Sequence, residues 1–175
     1  MFRRSLLLKN WKGIIYVQIR IICVGKIKEK FYRDAVAEYL KRLSRYAKIQ
    51  IEECSDEKTP EEASPAERAR ILGREGERIL SKIRDRDHVI ALAIKGKPLT
   101  SEQFAKMLGG HMQSGTGTVD FIIGGSLGLS EDVLRRADLE LSFSAFTFPH
   151  QLMRVILAEQ IYRAFRILSG APYHK

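Results

Sequence analysis

The chain has 175 residues, 45% hydrophobic and 29% charged, with a net charge of +9 at neutral pH. That is enough chain for one domain with its own core, and two cysteines, Cys23 and Cys54, build no disulfide framework, so a reducing, cytoplasmic setting is expected. The charge excess sits in residues 1–50, with 13 Lys/Arg against 3 Asp/Glu, while residues 51–100 (10 against 11) and 101–175 (7 against 7) are balanced; such a basic face suits nucleic-acid phosphate, the bland alternative being a solvated surface.

Residues 1–17 (MFRRSLLLKNWKGIIYV) open with basic residues and an apolar patch, but Lys9, Asn10 and Lys12 interrupt it and no small-residue cleavage site follows. The segment is too short and too charged to span a membrane, and is taken as an extension outside a single domain at 18–175. Ile19–Val24 is a short apolar run closed by Gly25, a buried parallel strand. From Glu29 to Ala47, Tyr32, Val36, Tyr39, Leu43 and Tyr46 recur at helical spacing, with Lys30, Arg33, Lys41, Arg42 and Arg45 largely off that stripe. The tyrosines are read as core, the basic side as a phosphate contact.

Lys48–Cys54 is a second strand, Ser55–Pro65 an acidic loop, and Ala66–Ile83 a helix. Gly73 and Gly76 each cost roughly 1 kcal/mol inside that helix, so close packing against a neighbour or a ligand is expected there. His88–Ile94 is near-continuously apolar, hence a buried strand. Thr100 and Gln103 form a capping box for a helix through Met112. No metal-ligand spacing links the cysteines and histidines.

The last third reads as one unit. Strand Thr118–Ile123 runs into Gly124-Gly125-Ser126-Leu127-Gly128-Leu129-Ser130. A short helix, Glu131–Ala137, is followed by an apolar strand, Leu139–Phe148, and then by a long helix after Pro149-His150 that stops at Gly170 and Pro172. Five strands alternating with five helices mean an α/β parallel sheet. Ligands of such sheets sit beyond the carboxyl ends of the strands, where glycine lets backbone come close. A lone Gly-Gly-x-x-Gly is more often a tight turn; the second loop and the polar tail lift the functional reading. The final helix is apolar almost all round, which calls for burial against a second subunit.

The runs FIIGGSLGLS, LSFSAFTFPHQLMRVILAEQIYRAFRI and the terminal PYHK, with IRIICVGKIKEKFY and HVIALAIKGK upstream, resemble the RlmH-type methyltransferases of the SPOUT class over residues 18–175. The resemblance implies an α/β fold with a five- to six-stranded, mostly parallel sheet and a C-terminal trefoil knot. It implies a homodimer, S-adenosylmethionine (AdoMet) as methyl donor, and methylation at N3 of pseudouridine 1915 in 23S ribosomal RNA of the assembled ribosome. It places the cofactor at Leu92, Gly124 and Phe143-Ser144-Ala145-Phe146-Thr147-Phe148; the phenylalanines also read as plain core. Candidates for handling the N3 proton or the base are His150, Arg154, Tyr173 and His174. A neutral imidazole at a helix start accepts a proton, and Arg154 holds phosphate or a developing anion. Against these stand a helix-terminal hydrogen bond for His150 and a frayed end for the tail. No metal and no membrane contact are expected. The rival readings are a non-catalytic ribosome- or RNA-binding module with a vestigial pocket, and a nucleotide-binding protein acting on small molecules.

Overall fold

The computed structural model describes residues 17–115 and 117–172. Strands and helices alternate: β1 (Gln18–Val24), α1 (Lys30–Leu43), β2 (Lys48–Cys54), α2 (Pro65–Leu80), β3 (His88–Pro98), α3 (Ser101–Gln113), β4 (Thr118–Ile123), α4 (Glu131–Arg136), β5 (Leu139–Ser142) and α5 (His150–Leu168). The strands form one sheet in the order β2-β1-β4-β3-β5, with every pairing parallel. This is the expected α/β architecture, a five-stranded parallel sheet flanked by helices.

Strand alternation splits the core into two layers. Ile19, Ile21 and Cys23 of β1 and Val119, Phe121 and Ile123 of β4 face one side, against Leu43 of α1, Leu108 of α3, and Leu157, Ile161 and Phe165 of α5. Ile22, Val24 and Ile122 face the other, against Ile79 of α2 and Val133 of α4. Both faces are covered, which is why these strands read as continuous apolar runs. The tyrosine stripe of α1 is core packing: Tyr46 stacks on Phe165 with ring centroids 5.4 Å apart, and Tyr39 meets Tyr162.

One polar cluster interrupts the strands. Arg20 of β1 is buried and donates to Asp120 of β4 at 2.8 and 2.5 Å, to Asp87 at 2.5 Å, and to the Lys82 carbonyl at 3.0 Å. Gly76 in α2 is required by a neighbour, since a Cβ there would collide with the Ser130 hydroxyl, whereas a Cβ at Gly73 would meet nothing within 4 Å. Ser130 in turn caps α4 through the Val133 amide.

Two boundaries differ from expectation in a way that shapes the site. β5 ends at Ser142 instead of running to Phe148. The Ser142 hydroxyl lies 2.9 Å from the Ile94 carbonyl and 3.2 Å from that of Ser144, while the Phe146 amide donates to the Ser144 hydroxyl. These local bonds replace the ladder and turn 143–149 into a loop. β3 runs on to Pro98 by way of a register shift between Leu92 and Lys97, both of which pair with Leu141. Gly96 permits this, since a Cβ there would lie 2.7–2.8 Å from the Glu140 and Leu141 backbone. The extension expected at 1–17 lies outside the described residues except for Val17, which is buried, and Tyr173 and His174 lie outside them as well.

Candidate functional site

The carboxyl ends of β3, β4 and β5 surround a cleft of about 520 Å³. That size suits a nucleoside-sized ligand. β3 contributes Leu92, Ala93 and Ile94; β4 and its loop contribute Ile123, Gly124, Gly125, Ser126 and Gly128; the 143–149 loop contributes Phe143, Ser144, Phe146, Thr147, Phe148 and Pro149; α5 adds His150 and Met153. Leu92, Gly124, Phe143, Ser144, Phe146, Thr147 and Phe148 therefore come together as anticipated from sequence, and Ala145, next to them in the same loop, is not part of the lining.

The cleft is apolar where it is open. Phe146 is 78% exposed, Ile94 52% and Phe148 39%. These phenylalanines are thus not core. Full burial of such a side chain is worth about 1.5–3 kcal/mol, so a ligand covering them gains substantially. Polar contacts come from backbone and from the Ser126 and Thr147 hydroxyls. Thr59, from the acidic β2–α2 loop, lies 3.1 Å from the Ser126 hydroxyl and ties that loop to the rim.

The glycines serve packing, Gly124 within the loop and Gly125 against α2 and β1. A Cβ at Gly124 would collide with the Gly128 carbonyl, and Gly128 has φ +89°. Packing alone therefore requires glycine at 124, which also lines the cleft. A Cβ at Gly125 would sit 2.8 Å from Glu75 Oε2 and 3.1 Å from Val24 Cγ1. Glu75 of α2 is buried and accepts from the Glu57 amide at 2.9 Å. Burial holds its carboxyl above the ordinary glutamate range.

His150 begins α5 and packs on Gly25, whose φ of +79° ends β1; a Cβ there would lie 3.0 Å from His150 Cε1. Its imidazole is held below the usual histidine value first by burial, then by Arg154. The sequence pointed to the helix dipole; desolvation is the leading cause.

Arg154 does not enter the cleft. It is fully buried and donates to Glu53 at 2.7 Å and to the Val24 and Gly25 carbonyls at 3.1 and 2.6 Å, with Nη2 3.5 Å from His150 Nδ1. The phosphate- or anion-holding role expected for it gives way to that of a strut joining α5 to the ends of β1 and β2. A guanidinium closed to solvent, with both terminal nitrogens already donating to protein acceptors, has no fork to offer RNA. Met153 was missed by the sequence reading, although its helical spacing from His150 was the available signal. Ile94 was missed because the apolar run His88–Ile94 reads as buried throughout, whereas its last residue stands 52% exposed.

Among the described residues, no helix is long and apolar enough to cross a membrane and no group of His, Cys, Asp and Glu could hold a metal ion.

A family described as predicted SPOUT methyltransferases matches residues 17–174. A protein of Lactiplantibacillus plantarum named ribosomal RNA large subunit methyltransferase H is 56% identical over 159 residues, covering 91% of this chain and 100% of the relative. Proteins of the same name from Limosilactobacillus reuteri and Streptococcus agalactiae are each 57% identical over the same shares. Among solved structures, a probable methylase family protein from Haemophilus influenzae Rd KW20 aligns at TM-score 0.48 and 14% identity, covering 91% of this chain and 70% of that one, too distant a likeness to bear on function.

Proposed function

The chain belongs to the SPOUT methyltransferase family, and from that premise we propose that it methylates large-subunit ribosomal RNA, using AdoMet to methylate N3 of pseudouridine 1915 in 23S rRNA of the assembled ribosome. The carrying observation is the cleft at the ends of β3, β4 and β5, built from the glycine loop and the 143–149 loop, together with the shared name of relatives 56–57% identical.

The lining fits the cofactor. Leu92, Leu141 and Met153 offer apolar faces to an adenine, and the backbone of the two loops offers edge donors and acceptors. AdoMet supplies an electrophilic methyl group on its sulfonium. The chain's part is to cover the cofactor, with Phe146 and Phe148 at the cleft mouth, and to place the base. Thr147→Trp fills exposed cleft space without touching the core. It should abolish AdoMet binding in calorimetry while leaving the melting temperature unchanged; unaltered affinity would move the cofactor elsewhere. Mass spectrometry of 23S rRNA from a strain lacking the gene tests the nucleotide itself.

The assembly belongs to the same reading: a cytoplasmic homodimer with the family's C-terminal trefoil knot. Leu152, Val155 and Ile156 on α5 remain half-exposed in the single chain, leaving apolar surface for a second copy. A stable monomer at micromolar concentration in sedimentation would sink the dimer. RNA contact falls to the basic side of α1, where Lys41 and Arg45 are exposed. Arg33 is held by the Ile27 and Lys28 carbonyls, so the clean variant removes Lys41 and Arg45 only. Each lost phosphate contact should lower the salt slope of ribosome binding by about 1. Tyr173 and His174 are assigned to base placement or catalysis. Truncation after Pro172 should then leave AdoMet binding intact while methyl transfer falls steeply.

A further inference from the structure

The reaction requires the N3 proton of the target base to leave, and a neutral histidine at the cleft is the obvious acceptor. The surroundings of His150 oppose that assignment. An imidazole has one lone-pair nitrogen when neutral, and which one it is depends on what each nitrogen faces. Nδ1 of His150 faces Nη2 of Arg154 at 3.5 Å. A guanidinium has donors only and keeps its charge at any working pH. The contact is long for a hydrogen bond, yet its sign is fixed: a proton on Nδ1 would point at another N–H.

Nor can Arg154 turn away. Its other bonds go to Glu53, Val24 and Gly25, and it is fully buried. His150 is equally confined, with Cε1 against the backbone of Gly25 and the ring at the start of α5. A ring flip would bring Cδ2 toward the guanidinium and forfeit the one acceptor available there.

We propose that Arg154 is a positioning residue that fixes His150 as the Nε2–H tautomer, so that His150 serves the cleft as a hydrogen-bond donor and not as a general base. This rests on the methyltransferase reading for its chemistry, though not for its geometry. In the imide of the target base, N3 lies between two carbonyl groups. When its proton passes to water, the negative charge is shared with the flanking oxygens. Nε2–H donates to one of them, and His150 keeps its proton throughout. A preorganised donor aimed at a developing oxyanion is worth more than a weak base here, because it adds no charge to a desolvated site. The lowered affinity of His150 for a second proton agrees with this, Arg154 and Lys28 opposing that proton while Asp56 and Glu53 favour it and burial dominates.

The test has a spectroscopic and a kinetic arm. In full-chain protein labelled with ¹⁵N-histidine, the His150 signals are those missing from His150→Gln. At neutral pH they should show a protonated Nε2 and a lone pair on Nδ1. The opposite tautomer, or an imidazolium, overturns the proposal whether or not the protein methylates anything. Arg154→Lys keeps a donor-only cation and should preserve the Nε2–H form, and Arg154→Met should admit the other; if neither folds, the wild-type spectrum decides. Kinetically, glutamine can donate from the Nε2 position but cannot take a proton. With assembled ribosomes, His150→Ala should lose about 10²-fold, as for removal of an oxyanion donor, while His150→Gln stays within about tenfold of wild type. A general base would instead lose about 10²–10⁴-fold in both variants, and that result refutes the donor role. Wild-type protein inert on ribosomes would refute the methyltransferase reading alone, leaving the tautomer to stand on its spectrum.

Discussion

A buried arginine stands at each end of the sheet, Arg20 on β1 and Arg154 on α5, and the two are used differently. Arg20, toward the amino ends of the strands, pairs with Asp87 and Asp120 and reaches Glu52 at 3.3 Å, so carboxylates surround it. Arg154, at the carboxyl ends, has one carboxylate, Glu53, whose side chain is 34% exposed; its other partners are carbonyls and an imidazole nitrogen. At the first site negative charge exceeds positive, and the charges are spent on one another. At the second the charges balance one to one, and the guanidinium still faces the His150 imidazole beside the cleft. One end of the sheet is a rivet. The other is a rivet that also holds a functional side chain in a chosen state.

The largest expected effect comes from breaking the first. Arg20→Met leaves Asp120 and Asp87 buried without their cation, and removing one partner of a buried pair costs about 3–5 kcal/mol. Urea unfolding should show it as a lower midpoint at unchanged slope, with AdoMet affinity of the folded fraction unaltered. A loss under about 1 kcal/mol would mean that water reaches the cluster, and the contrast between the two sites would collapse.

Arg154→Met should cost less, about 1–3 kcal/mol, because Glu53 can turn to solvent and only the Val24 and Gly25 carbonyls are stranded. Its other effect has no counterpart at Arg20. Arg154 is one of the influences that lower the His150 pKa, after burial, so its removal should move that titration upward, toward the usual histidine value. The linkage sign follows. With its pKa depressed in the folded state, His150 contributes stability that is present above the ordinary histidine value and is lost as pH falls through the folded one. In Arg154→Met that acid-side loss should shrink, as melting temperatures across the range from neutral to mildly acidic pH will show.

Much of this was legible in the residues. Apolar runs and helical spacing gave the alternation of strands and helices, and Thr100 with Gln103 announced a capping box that is present. Ser64 with Glu67 has the same spacing and forms one too, a signal that was on the page and went unread. The arginine sites were not legible. Arg20 lies inside a run read simply as apolar, and its partner Asp120 lies 100 residues on; only the parallel register of β1 with β4 brings the two together. Arg154 had the right spacing from His150, but its partners Glu53, Val24 and Gly25 come from other elements, so nothing local said that it was spoken for. The stretch from Leu139 to Phe148 alternates like a strand, and the hydroxyls of Ser142 and Ser144 override that alternation after Ser142. In each case long-range pairing or side-chain-to-backbone bonding decided against the local pattern.

Another buried charge-bearing group, Glu75, gives the smallest effect and the sharpest test of whether the cleft end keeps polar groups unmatched. Its Oε1 accepts from the Glu57 amide, while Oε2, beside Gly125, has no hydrogen-bond partner among the described residues. Burial is the main reason its carboxyl is raised above the ordinary glutamate value; Asp56 and Glu57 add to the effect, and Arg78 and the Glu57 amide oppose it. A carboxyl raised in the folded state contributes stability that is complete below its ordinary value and is lost as pH rises through the folded one. Glu75→Gln keeps the shape and the acceptor for the Glu57 amide but cannot ionise. At neutral pH it should therefore stabilise the protein, by a few tenths to about 1 kcal/mol, and the gain should vanish in acid, where Glu75 itself is protonated. Urea midpoints of the two proteins across that pH range measure the difference. A variant that is less stable at neutral pH would mean that ionised Glu75 finds a donor in the folded protein, and the glycine loop would then rest on a satisfied carboxylate, as Arg20 does on its own.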